Sequence, residues 1–213
     1  MVGQAVLREC LLDPDIAAVV AVGRSASPVE HSKLRQIVRA DLFHYADVEA
    51  ELSGFDACFF CLGVSSAGMP EAEYERLTYT LTLAAAGTLA RLNPTMTFIY
   101  VSGAGTDSSE RGRVHWARVK GRTENALLRL PFKAAYMFRP AGIRPMHGER
   151  SKTALYRVAY NLSKPALPLL VRLFPNYFLT TEEVGRAMIQ VARRGAPKQI
   201  LETPDIRARA RSR

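Results

Sequence analysis

The side chains able to do chemistry fall into a few groups along the 213 residues. Cys58 and Cys61 have the spacing of a redox or zinc pair. They lie in a short apolar run, Ala57 to Leu62, and on a strand positions i and i+3 point to opposite faces. No second pair completes a zinc site, so they read as two core thiols. Ser102 closes the run Thr97 to Ser102, at the end of a strand where ligands bind in parallel sheets. Fourteen residues later come Trp116 and Lys120, which share one face of a helix. An indole N–H donates a hydrogen bond but does not ionise usefully, so Trp116 is no acid or base. His115 points about 100° away around the helix. Tyr100 shares a strand face with Ser102, and Tyr74 and Tyr79 lie on a long helix. None of these is compelling as a substitute acid. Arg144, His147, Arg150 and Lys152 gather after another strand, which suits an anionic substrate or a solvated basic loop. A serine hydrolase lacks its Gly-x-Ser-x-Gly elbow here. A Walker A loop is missing too, and Gly103-Ala104-Gly105 reads as a flexible turn.

These groups need elements to hold them. Short β-rich runs at Ala17–Gly23, Ile37–Val38, Ala57–Leu62, Thr97–Ser102 and Ala134–Phe138 alternate with helical patterns. The Ala17–Gly23 run reads as a buried strand. Val6, Leu7, Cys10 and Leu11 form one helical stripe; Pro70 to Leu92 predicts a long helix. Trp116, Val119, Thr123, Leu127 and Leu130 recur at helical spacing. Thr180-Thr-Glu-Glu183 is a capping box, with Gly195 closing its helix. Such alternation predicts an α/β fold with a doubly wound parallel sheet. Residues 1–206 are expected to form a single domain. Within it, 144–179, rich in proline, is expected to build a small helical substrate lobe, and 207–213 a basic, solvated tail.

Composition narrows the class. Hydrophobic residues make up 48% and charged residues 23%, as in globular chains. Basic residues number 29 against 20 acidic, a net charge of +9. Arg207, Arg209, Arg211 and Arg213 carry four of those charges in the last few residues, and no nucleic-acid-binding signature accompanies them. Nucleic acid is therefore not an expected partner. No apolar run reaches the ~18 residues of a membrane span. Three cysteines and the absence of a signal-peptide pattern lead us to expect a reducing, cytoplasmic setting. The expected assembly is a monomer or homodimer.

Taken in order, Gly23-Arg24-Ser25, Ala40-Asp41-Leu42, Cys61-Leu62-Gly63, Tyr100-Val101-Ser102, Lys120-Gly121 and Arg139-Pro140-Ala141-Gly142 form a pattern. Over roughly residues 1–195 the chain resembles the atypical short-chain dehydrogenase/reductases. Within them it is most similar to the NAD(P)-binding epimerase-like proteins related to the Tat-interacting oxidoreductases. The resemblance implies a Rossmann-like fold, a nicotinamide dinucleotide and a small carbonyl or sugar-type substrate. Its implied cofactor contacts are Gly3, Arg24, Ser25, Asp41, Leu42, Leu62, Gly63, Lys120, Pro140, Ala141, Gly142 and Ile143. Asp41 would meet the adenine amino group, and Leu62-Gly63 would let the cofactor approach the backbone. Arg24 stands where an acidic residue would select NAD, and an arginine suits the 2′-phosphate of NADP. NADP is thus the expected cofactor, with NAD possible. Ser102 and Lys120 are the implied catalytic residues, one holding the substrate oxygen and the other the ribose. The family's tyrosine is replaced by Trp116. That replacement motivates an alternative, a non-catalytic NADP-binding module that senses redox state or binds a partner protein.

The start departs from the family pattern. Met1-Val2-Gly3 resembles the last three positions of a Gly-x-x-Gly-x-x-Gly turn, and the strand that precedes this turn is missing. In a doubly wound sheet that strand is central, and without it two strands are left with unpaired backbone groups. Either the remaining strands close the gap or the protein begins upstream of Met1; we take the second as the expectation.

Overall fold

The computed structural model describes residues 1–147 and 177–212. The first helix, α1 (Val2–Leu12), buries Val6, Cys10 and Leu11, three of the four residues in the sequence stripe. Strands β1 (Val19–Gly23) and β2 (Leu34–Val38) follow, then a 3-10 turn over Ala46–Leu52 and β3 (Ala57–Phe60). The long helix is α2 (Glu71–Glu75), one π turn (Arg76–Thr80) and α3 (Leu81–Leu92). After it come β4 (Thr97–Val101), α4 (His115–Leu128), β5 (Ala134–Arg139) and β6 (Gly142–Arg144). The chain closes with β7 (Phe178–Thr180), α5 (Thr181–Arg194), β8 (Ile200–Glu202) and α6 (Thr203–Arg211).

The strands run parallel and are wound on both faces, as expected. Along β4 and β5, Phe98, Tyr100, Ala135 and Met137 enter one apolar cluster with α3 and α4. Ile99, Tyr136 and Phe138, the alternate residues, enter a second cluster with α1, α5 and α6. A strand covered on both sides has no polar face, which is why these segments read as unbroken apolar runs. Cys58 belongs to the first cluster and Cys61 to the second, so the two thiols do face opposite ways. Burial pushes both thiols up to about 12, the mark of inert core cysteines.

The sheet keeps the unpaired edges expected from the start of the chain, and two other expectations are revised. Among the described residues the sheet is split: β1 pairs only with β2, and a separate sheet has the order β3-β4-β5-β8. The strands therefore leave the gap open. For the same reason β1 is half-buried along its whole length rather than buried. Finally, the basic tail is helical through Arg211, because α6 carries a Pro at its first turn and a capping box between Glu202 and Asp205. Ile206 is fully buried, and Arg207 donates to Glu183 at 3.2 Å and to the Phe178 carbonyl. Most of the expected 144–179 lobe, with Arg150 and Lys152, lies outside the described residues.

Helix α5 shows how closely local signals translate. Thr180 Oγ1 accepts from the Glu183 N–H at 3.0 Å, and Glu183 Oε2 accepts from the Thr180 N–H at 2.8 Å. Gly195 ends the helix at φ 70°, in the left-handed region that glycine tolerates. Gly185 brings α5 close to α1, since a Cβ there would lie 2.7 Å from Glu9 Cγ.

Candidate functional site

Parallel strands bring their carboxyl ends to one edge, and the loops that leave that edge form the crevice. Here the loops after β1, β2, β3, β4 and β5 carry Arg24-Ser25, Asp41, Leu62-Gly63, Ser102-Gly103 and Pro140-Ala141. Strand order reverses between the β1–β2 pair and β3, so the first three of these loops flank the switch point. Arg24 and Ser25 are exposed. Asp41 is exposed as well, and its Oδ1 accepts the Phe43 N–H at 2.7 Å. That bond, followed by the one with His44, holds its carboxyl below the usual range. Leu42, by contrast, turns its side chain into the core at 4% exposure, leaving only its backbone for a ligand. Leu62 is exposed, and a Cβ on Gly63 would meet nothing within 4 Å. The protein itself leaves open the space beside that glycine.

Beneath the turn after β4 lies a buried ion pair that sequence reading overlooked. Glu124 on α4 is fully buried and accepts from Arg139 Nε at 3.0 Å and from Arg139 Nη2. Arg139 Nη2 also reaches Ser108 Oγ at 2.5 Å. Ser102 Oγ donates to Glu124 as well, and it lies 3.3 Å from the Phe138 carbonyl. A hydroxyl has one proton to give. At 5% exposure, Ser102 directs its hydroxyl hydrogen to Glu124 inside the protein. Lys120 Nζ donates to the Ser102 carbonyl, and burial draws its pKa from 10.5 down to about 8 against the opposing pull of Glu124. The two implied catalytic residues do meet, but through a backbone carbonyl. A signal for Glu124 was present in the sequence: it lies one turn beyond Lys120 and between Thr123 and Leu127, which α4 buries. A carboxylate on such a face requires a buried cation.

Trp116 lies over the turn after β4. A Cβ on Gly105 would come 3.4 Å from the indole ring, and Gly105 sits at φ 84°. The other candidate acids are otherwise engaged. Tyr74 and Tyr100 are each 2% exposed, and burial pushes the Tyr100 phenol far up. Tyr79 stacks under the Arg122 guanidinium, 4.0 Å from it. His115 lies 3.7 Å from Glu71 and meets the Tyr74 ring edge-on. His147 pairs with Glu182, so this basic group has an acidic counterpart.

The turn after β5 is tied down by its backbone. Pro140 O accepts the Ala104 N–H at 3.0 Å, and the Ala141 N–H donates to Thr203 Oγ1 at 3.0 Å. Gly142 is required by packing, because a Cβ would fall 2.5 Å from the Phe178 ring. Ile143 packs on the second apolar cluster. Gly3 lies exposed in the first turn of α1, its missing Cβ 3.4 Å from Cys61 Cβ. Among the described residues no group of three or more His, Cys, Asp or Glu side chains is placed to hold a metal.

Parallel strands, helices on both faces and loops converging where strand order reverses define a Rossmann-like α/β protein. No family model matches the chain, and no curated protein matches it. Solved structures do match its fold. It is similar to the enzyme WbmF of Bordetella bronchiseptica in complex with NAD+, at 15% identity and TM-score 0.66, over 98% of this chain and 73% of that one. It is also similar to UDP-N-acetylglucosamine 4-epimerase from Methanobrevibacter ruminantium in complex with UDP-N-acetylmuramic acid. That match has 13% identity and TM-score 0.64, over 95% and 72% of the two chains. RMD from Pseudomonas aeruginosa, complexed with NADPH, matches at 17% identity and TM-score 0.57, over 81% and 69%. No helix among the described residues is long and apolar enough to cross a membrane.

Proposed function

We propose that this chain binds a nicotinamide dinucleotide, preferably NADP, and belongs functionally with the epimerase- and reductase-like proteins, including those near the Tat-interacting oxidoreductases. The observation that carries the proposal is the crevice at the strand-order reversal, with Arg24-Ser25 at its rim and open space beside Gly63. The fold neighbours were solved with NAD+ and NADPH, which supports this cofactor class.

The residues present fit such a group. Arg24 would pair with a 2′-phosphate, since a guanidinium offers a planar fork of donors. Asp41 would accept from an adenine amino group, and Gly63 would admit the cofactor against the backbone of its loop. The turn after β5 is already fixed by Ala104 and Thr203 and offers a rigid backbone wall. When bound, a nicotinamide supplies or accepts a hydride. Lys120 would hold a ribose hydroxyl after leaving the Ser102 carbonyl. The substrate class we assign is a small carbonyl or sugar-type compound.

Titration calorimetry with NADPH and NADH tests this reading. NADPH should bind, and Arg24→Asp should weaken it about tenfold or more while sparing NADH. Equal affinities for both cofactors before and after the substitution would overturn the NADP preference; no binding of either would overturn the proposal.

A second reading is favoured by one observation. The indole of Trp116 replaces an ionisable group, and Tyr74 and Tyr100 are too buried to serve. A dinucleotide-binding module without turnover would then bind NADPH yet oxidise none of it with a panel of aldehydes, ketones and nucleotide sugars. Measurable consumption of NADPH with any of these would exclude that reading.

A further inference from the structure

At the carboxyl end of β4 one amine is held without a counterion. Lys120 Nζ donates to the Ser102 carbonyl, at the wall of the crevice. An ammonium carries three hydrogens, and this carbonyl takes one. Among the described residues no carboxylate pairs with it. Glu124, one turn away, has both oxygens engaged. Its Oε1 accepts from Ser102 Oγ and Arg139 Nε, and its Oε2 from Arg139 Nη2. Its charge is balanced by Arg139, and burial outweighs its pull on Lys120, drawing the amine from 10.5 down to about 8.

The other titratable groups on the surrounding elements are engaged elsewhere. Tyr74 of α2 and Tyr100 of β4 are buried. On α2, Glu71 faces His115 and Glu75 pairs with Arg122. Asp107, in the loop after β4, accepts from Ser109 Oγ and from the Gly112 N–H. On the same face of α4, one turn before Lys120, lies the half-buried indole of Trp116.

A neutral amine in this setting is suited to attack rather than to ion pairing. One N–H stays on the Ser102 carbonyl and fixes the nitrogen, while its lone pair is uncommitted. Lysines that attack carbonyl carbon are desolvated in this way.

We propose that Lys120 is a nucleophile that forms an imine with a small aldehyde or ketone entering the crevice after β4. The Nζ lone pair bonds to the carbonyl carbon, and the C=O π pair moves to oxygen. One proton passes from nitrogen to that oxygen. A second, from solvent, lets it leave as water while C=N forms. The product is a protonated iminium, whose remaining N–H is the one held by the Ser102 carbonyl. An indole one turn away suits such a cation, because an aromatic face attracts positive charge. Trp116 thus has a use that needs no ionisable proton. The step exchanges no electrons and requires no oxidant or reductant. It goes beyond the cofactor reading, since it rests on α4 and the end of β4 and needs no dinucleotide.

Acetaldehyde with cyanoborohydride tests it on the whole chain. The hydride fixes any imine as a stable ethylamine, which peptide mass spectrometry locates. At about pH 7 Lys120 should be ethylated at least about tenfold faster than Lys133 and Lys198. Lys133 is exposed, and Lys198 pairs with Asp205 at 2.8 Å. In concentrated urea the preference should vanish. The rate at Lys120 should level off above about pH 8. The proposal is overturned if Lys120 is labelled no faster than the other two, or if its lead persists in urea. A rate at Lys120 still climbing at about pH 10 would overturn it as well. NADPH is absent throughout, so a failure of the cofactor reading leaves either result standing.

Discussion

Glu124 carries more of the site than any other single residue. It neutralises Arg139, accepts a hydrogen bond from the Ser102 hydroxyl and lies one helical turn from Lys120. Removing one partner of a buried pair strands the other charge, so Glu124→Ala should destabilise the protein by about 3–5 kcal/mol. Urea denaturation measures this, and Glu124→Gln, which keeps the shape and an acceptor, should cost less. Lys120 gives a pH signature. Its folded pKa is drawn down to about 8 from 10.5, so between these values the unfolded chain holds a proton that the folded chain has released. Stability contributed by this group therefore rises with pH across that window and is lowest below it. A series of melting curves should show the rise in the natural protein and its loss in Lys120→Met. A flat profile in the natural chain would refute the burial of this ammonium. The roles of Ser102 and Lys120 were only half legible in the sequence. Spacing put them near one another, but no spacing rule reveals that the hydroxyl donates to a carboxylate 22 positions away.

Elements were read more fully than side-chain roles. The capping box at Thr180 and the glycine at 195 translated directly into α5, because caps are local chemistry. Strands β4 and β5 were visible because burial on both faces forbids polar residues. Short strands such as β6, β7 and β8 escaped, being three residues each and held by neighbours distant in sequence. Helix α6 escaped for a different reason: its run of arginines resembles a solvated tail, whereas the burial of Ile206 and the bonds of Arg207 anchor it. Gly121 was noted as a motif partner of Lys120 and proves to be a docking requirement. A Cβ there would lie 1.7 Å from Asp107 O, so α4 presses directly on the backbone of the preceding loop. Gly121→Ala should cost about 3 kcal/mol or more in a denaturation experiment, since backbone cannot step aside as a side chain can.

At the scale of the molecule, the doubly wound plan follows from the alternation of strands and helices, and the two apolar clusters realise it. Unpaired strand edges were the expectation and closure of the gap its alternative, although composition cannot say whether neighbouring strands will move together. They do not: a cavity lined by α1 and α3 lies between β1 and β3. The split has a consequence for how the chain gains its shape. Strands β3, β4, β5 and β8 share one ladder and can assemble together, from residue 57 onward. Among the described residues the β1–β2 pair shares no ladder bond with them and is attached through side chains, Val20, Val22 and Ile37 in the first apolar cluster and those facing α1. It is therefore the part free to come loose alone, an early exit on the unfolding route and a late arrival on the way back.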